Sequence, residues 1–127
     1  MEYNELDQLR EAIGSSPENV PLRKLYANAL VKNKRFEEAE VEYKEALRLA
    51  PGDIQLKVGL ANAFCEQEKT SLGLVIIEEI TAKGTPPATA WIVYAKLLLQ
   101  SRQAADAKDA YEKAILIDPS VEDSFLE

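Results

Sequence analysis

Apolar side chains recur along this chain at spacings of three and four, and polar or turn-forming residues interrupt them at short intervals. That pattern predicts amphipathic helices joined by tight turns. Leu6, Leu9 and Ile13 share one face of a first helix within residues 1–19, which Gly14, Ser15, Ser16 and Pro17 bring to an end. Six further helices are predicted near 20–33, 36–49, 54–67, 70–83, 88–100 and 104–117, the first two being joined at Asn33–Arg35. One stretch resists this reading: Leu72 to Ile77 has the composition of a β-strand. The helices on both sides of it decide in favour of a helix there too.

The helices come in pairs, and the pairs repeat every 34 residues with no insertion or deletion. Ala27, Ala61 and Ala95 are one period apart, as are Tyr26, Leu60 and Tyr94, and Leu30, Phe64 and Leu98. In the second helix of each pair, Ala39, Gly73 and Ala107 keep a small residue while Tyr43, Ile77 and Tyr111 keep a large one. Tyr43 to Pro51 (YKEALRLAP) and Tyr111 to Pro119 (YEKAILIDP) are the closest self-match. Two antiparallel helices approach closely only where one side chain is very small, and large residues then fill the space beside the crossing. A proline just past the second helix stops it and sets the angle into the next pair. A single pair leaves an apolar face open, so neighbouring pairs must stack.

These residues carry a resemblance. Tyr26, Ala27, Leu30, Ala39, Tyr43, Ala46 and Pro51 in one unit, and Trp91, Tyr94, Ala95, Leu98, Ala107, Tyr111, Ala114 and Pro119 in another, resemble the tetratricopeptide repeat pattern over nearly the whole chain. The expected fold is all-α, an α-solenoid of stacked antiparallel helix hairpins. Residues 1–19 form an N-terminal half repeat or cap, and 20–53, 54–87 and 88–121 form three repeats. Residues 122–127 begin a further helix or are an appended tail, and Phe125 lies one period after Trp91. The half unit at one end and the missing polar cap at the other point to a piece of a longer protein.

The middle repeat departs most from the pattern. Gly59 and Gly73 fall inside helices, each costing about 1 kcal/mol against Ala. Ile80 replaces the alanine seen at Ala46 and Ala114, so that crossing must open or shift. Thr85 stands where proline is expected, followed by Pro86 and Pro87. The middle repeat should therefore be the looser one, and its amides should exchange hydrogen faster than those on either side. Equal protection across all three repeats would count against this. Trp91, by the area it covers, belongs to the core.

Charge and composition narrow the function. Asp and Glu number 22 against 15 Lys and Arg, a formal charge of −7. A surface for nucleic acid or an anionic membrane needs a basic footprint, so neither partner is expected. Cys65 is the single cysteine, which excludes an internal disulfide and suits a reducing, cytoplasmic setting. Met1 to Asn4 lacks the charged-then-apolar start of a secretion signal, and no apolar run reaches membrane-spanning length. Glu37, Glu38, Glu40, Glu42 and Glu45 crowd one helix, either as a solvated face or as a patch for a basic partner.

The ingredients of catalysis are missing. The chain contains no histidine, which removes Ser-His, Cys-His and His-ligated metal schemes. It has no glycine-rich phosphate loop ending in Lys-Ser/Thr. Cys65 stands beside Glu66 with no activating cation in sequence and reads as an inert packed thiol. The chain is therefore not expected to be an enzyme, and no metal or cofactor is expected.

What remains is a surface. The resemblance implies that the first helices line a concave groove for a protein or peptide partner. Its side chains would be Lys24, Asn28, Val31 and Lys32 in the first repeat, Val58, Asn62, Cys65 and Glu66 in the second, and Ile92, Lys96 and Leu99 in the third. Asn28 and Asn62 are one period apart, and a carboxamide both donates to and accepts from a peptide backbone. Family members that hold the carboxylate-ending tails of heat-shock chaperones use a clamp of Lys, Asn, Asn, Lys and Arg. Its first two positions match Lys24 and Asn28, but the others fall on Gly59, Thr89 and Val93, so tight binding of such tails is not expected. Two alternatives stand beside the scaffold reading. One is a recruiting or regulatory domain of a larger multidomain enzyme such as an ATPase. The other is self-association, giving a homo-oligomer, through the uncapped C-terminal end around Ala107, Tyr111 and Phe125.

Overall fold

Helix starts in this protein keep the same 34-residue period as its core. Asn19 caps α2 (Val20–Lys32), its side-chain oxygen accepting from the Leu22 amide at 3.0 Å. One period on, Asp53 accepts from the Leu56 amide at 3.1 Å at the start of α4 (Ile54–Glu66). One period further, Pro87 takes extended backbone before α6 (Ala88–Gln100). The computed structural model describes residues 4–121, and those residues hold seven α-helices and no strand. The remaining helices are α1 (Glu5–Ser15), α3 (Phe36–Leu49), α5 (Thr70–Thr81) and α7 (Ala104–Ile117). Asn4 and Asp7 form a reciprocal capping box on α1, and the helix runs on through Gly14.

The turn inside each hairpin is also periodic. Lys34, Glu68 and Arg102, one period apart, adopt φ of 60°, 59° and 62°. The amide after each donates back across the helix end: Arg35 to Leu30 O at 2.8 Å, Lys69 to Phe64 O at 2.9 Å, Gln103 to Leu98 O at 2.9 Å. This is the Schellman closure, which satisfies terminal carbonyls and reverses the chain in three residues. None of the three is glycine, although left-handed backbone costs other L-residues about 1–2 kcal/mol. Lys34→Gly, Glu68→Gly and Arg102→Gly should therefore each raise stability by roughly 0.5–1 kcal/mol. Urea melts of the three single variants check this, and a fall in midpoint at all three positions would refute it.

Two compact units divide between Ala63 and Phe64. In the first, α1 packs on α2 and α2 on α3. Tyr26, Ala27, Leu30, Ala39, Tyr43 and Ala46 are all buried, the alanines at the positions where the repeat demands small residues. Leu6 and Ile13 of α1 are buried and Leu9 is half-buried. Arg23 ties three segments together, donating to Pro17 O at 2.7 Å and pairing with Glu42 at 2.9 Å. The ring of Tyr43 lies against Gly59 so closely that an added Cβ would stand 2.5 Å from Cε1. The helix-propensity cost of Gly59 thus accompanies a close approach that no other residue permits.

In the second unit, α5 packs on α6 and α6 on α7. Two clusters form along α6: Ala88 and Ile92 with Ala114 of α7 and Val121 beyond it, and Ala95 and Leu98 with Ala107 and Ala110 of α7. Trp91 is half-buried and packs against both, its ring 6.1 Å from that of Tyr94 and beneath the Lys113 ammonium at 4.6 Å. The β-like run Leu72 to Ile77 is helical: no strand among the described residues is there to pair with it, while the helix buries Gly73, Ile77 and Ile80. Ile80 is accommodated within the core where the flanking repeats carry alanine. The helix predicted over 70–83 stops at Thr81, whose hydroxyl donates to Ile77 O at 2.9 Å. Gly84, at φ 60°, then turns the chain toward Pro86 and Pro87. The predicted Phe125 and the tail 122–127 lie outside the described residues.

Candidate functional site

The residues singled out by sequence divide between the two units. In the first unit, α2 supplies Lys24, Asn28, Val31 and Lys32, spaced so that successive turns of one helix carry them. Asn28 and Lys32 are exposed, Lys24 and Val31 half-buried. The Tyr43 hydroxyl donates to Asn28 Oδ1 at 2.5 Å, which fixes the carboxamide and leaves its NH2 group as the outward donor. Burial pushes the Tyr43 phenol up to about 12, so it remains a protonated donor throughout the neutral range.

Lys24 is not a free cation. Its ammonium donates to Asp53 Oδ2 at 3.0 Å and to Gln55 Oε1 at 3.1 Å. Burial alone would push the Asp53 carboxyl up; the Lys24 hydrogen bond and the Leu56 amide outweigh it and hold the group below the usual range. On α4, Val58 is buried and Asn62 is half-buried. The Asn62 Oδ1 atom is itself buried and accepts no hydrogen bond among the described residues. A buried acceptor without a donor costs about 1–3 kcal/mol.

In the second unit, Cys65 and Ile92 are buried, Lys96 is half-buried and Leu99 is exposed. Lys96 Nζ stands 3.9 Å from Glu66 Oε1. Gln100 joins the neighbouring helices, donating to Cys65 O at 2.8 Å and accepting from the Thr70 hydroxyl at 2.7 Å. Burial, and secondarily the Glu66 carboxylate, push the Cys65 thiol up to about 11, so it stays protonated and a poor nucleophile at neutral pH. Val58, Cys65 and Ile92 therefore present little area to a ligand. The more open side chains of the set are Asn28, Lys32, Glu66 and Leu99.

Charge pairing explains the acidic helix. Glu38 pairs with Arg35 at 2.8 Å, Glu40 with Lys44 at 2.7 Å, Glu42 with Arg23 at 2.9 Å and Glu45 with Arg48 at 2.7 Å. Four of the five acids on α3 thus have a basic neighbour in place, which favours the solvated-face reading over a patch that recruits a basic partner. Sequence reasoning missed the Tyr43 hydroxyl as the group that orients Asn28, and Asp53 and Gln55 as the partners of Lys24. The position of Asp53 just before a helix was a signal for its capping role, while its reach to Lys24 depends on how the helices pack. No helix among the described residues is long and apolar enough to cross a membrane.

Residues 20–63 and residues 88–121 each match a family model described as Tetratricopeptide repeat. The stretch left between the matches carries Gly73, Ile80 and Thr85, the departures from the pattern. No curated protein matches the chain. Helix pairs of the right period, small residues at the crossings and two independent matches together establish that the chain belongs to the tetratricopeptide repeat family.

Proposed function

We propose that this protein is an interaction scaffold that holds a peptide or helix from a partner protein against its first helices. Repeats of this family mediate protein–protein interaction. The observation that carries the reading here is Asn28, whose carboxamide is anchored by Tyr43 and exposes a donor for a peptide carbonyl. Asn62, one period on, supports it with a carboxamide whose oxygen has no donor among the described residues. Lys32 adds a cation beside Asn28, Val31 adds apolar surface, and Lys96 and Leu99 offer the same pair of chemistries in the second unit. Lys24 is occupied by Asp53 and Gln55, which weakens it further as a clamp for a terminal carboxylate.

Affinity capture compares the wild type with the Lys24, Asn28, Asn62 and Lys96 quadruple alanine variant. Partners held by the wild type should be lost from the variant while its helical circular dichroism is unchanged. A partner set identical for both proteins would refute the assignment of these residues.

A specific observation also favours self-association as a second reading. Tyr111 stands between two hollows of about 400 Å³ and 240 Å³, lined by Glu112, Ile115 and Leu116 on one side and by Leu99, Ala104, Ala107 and Lys108 on the other. Leu116 is 85% exposed beside them. Open apolar surface of this kind invites a complementary one. A monomeric mass at high concentration removes this reading.

A further inference from the structure

The outward positions of the second helices carry a contrast that the proposed function leaves unused. In α3 the neighbours Lys44 and Glu45 put one cation beside one acid, and in α7 Glu112 and Lys113 do the same. At the matching positions α5 carries Glu78 and Glu79, both exposed. No ion pair involves either of them among the described residues, and exposed Lys83, one turn past Glu79, pairs with neither. They also sit near the carbonyl end of α5, whose last turn holds no basic residue, so the helix dipole opposes their charge.

The apolar residues beside them contrast in the same way. Leu72 is 52% exposed and Val75 69%, and Ile76 between them and Glu79 is half-buried. Leu72 occupies the position of Glu38 and Asp106 in the flanking repeats. Leu72, Val75, Ile76 and Glu79 follow the spacing of one helix face, which borders the buried face of Gly73, Ile77 and Ile80 at the half-buried Ile76. The outer face of α5 is thus an apolar stripe with unneutralised carboxylates at one end.

We infer that this face docks a basic amphipathic helix of a partner protein. Its apolar stripe covers Leu72, Val75 and Ile76, and its Lys or Arg side chains meet Glu78 and Glu79. Charge decides among occupants. A contact between copies of this chain would bring together two molecules that each carry a charge of −7, and the α5 face supplies no cation of its own to Glu78 and Glu79. The same carboxylates repel an anionic membrane or a phosphate backbone. A cationic helix satisfies both halves of the face at once.

The experiment uses the whole chain and a synthetic amphipathic peptide with Leu at every third or fourth position and Lys on both flanks, read by titration calorimetry at two salt concentrations. Leu72→Ser with Val75→Ser, and separately Glu78→Lys with Glu79→Lys, should each weaken binding by roughly tenfold. The charge variant should also flatten the salt dependence. All four positions are exposed, so helical circular dichroism should be unchanged. Gln8→Ala, at an exposed position of α1 outside both proposed faces, should leave peptide affinity as it was. Absence of binding, equal affinity for the peptide with Glu in place of Lys, or indifference to both α5 variants would overturn the inference. So would loss of binding in Gln8→Ala, or a dimer of this chain that dissociates on Val75→Ser.

Discussion

Tyr43→Ala should lower stability by about 3–5 kcal/mol, the range for deleting a large buried ring. The side chain is only 3% exposed, and its ring fills the space over Gly59 while its hydroxyl anchors Asn28. Truncation opens a cavity that the backbone of α4 closes poorly, since Gly59 has no side chain to move into it. Tyr43→Phe keeps the ring and removes only the hydroxyl, so it should cost about 1 kcal/mol, the typical net worth of one hydrogen bond. It should nonetheless weaken partner binding through Asn28, whose carboxamide is then free to rotate. Denaturant unfolding of both variants checks the ordering. A Tyr43→Phe variant as unstable as Tyr43→Ala would show that the hydroxyl, and not the ring, holds this region.

Gly59→Ala should also destabilise, although helix propensity alone favours alanine by about 1 kcal/mol. The new methyl would stand 2.5 Å from Cε1 and 2.6 Å from Cζ of Tyr43. Overpacking of a filled core costs typically 1–3 kcal/mol. The Tyr43 ring could swing aside, but it is buried and would forfeit its bond to Asn28. Strain is therefore expected to exceed propensity, leaving a net loss of about 1–2 kcal/mol. The double variant gives the sharper result. With Tyr43 already reduced to alanine the clash is gone, so Gly59→Ala should become neutral or stabilising. The two changes would then couple by about 2 kcal/mol, within the range for residues in contact. Purely additive effects would contradict this account of why glycine occupies that position.

The two substitutions also show what could be read from sequence. The 34-residue period, the small residues at Ala27, Ala61 and Ala95, and the large ones at Tyr43 and Tyr111 were all legible, because helix pairing imposes size rules that the sequence must obey at fixed intervals. Gly59 was visible only as a helix weakness. What lies above it depends on a side chain 16 positions earlier, and no local pattern reports that distance. The candidate site was legible in the same limited way. Spacing along α2 grouped Lys24, Asn28 and Lys32, yet the free state of each head group was not in the pattern. Lys24 proves to be held by Asp53 and Gln55, and Asn28 by Tyr43.

By itself, then, the sequence determined the class of fold, the number and order of helices among the described residues, and the bounds of α2 to α7 to within a residue or two. It did so through periodicity, which survives without knowledge of any contact. The tertiary structure decided that Arg23 of α2 neutralises Glu42 of α3, that Asp53 holds Lys24 and Tyr43 holds Asn28, and that the buried Asn62 oxygen has no donor among the described residues. Those outcomes rest on distances of a few ångströms between residues on different helices, where a hydrogen bond or an ion pair forms only once packing has brought its two halves together.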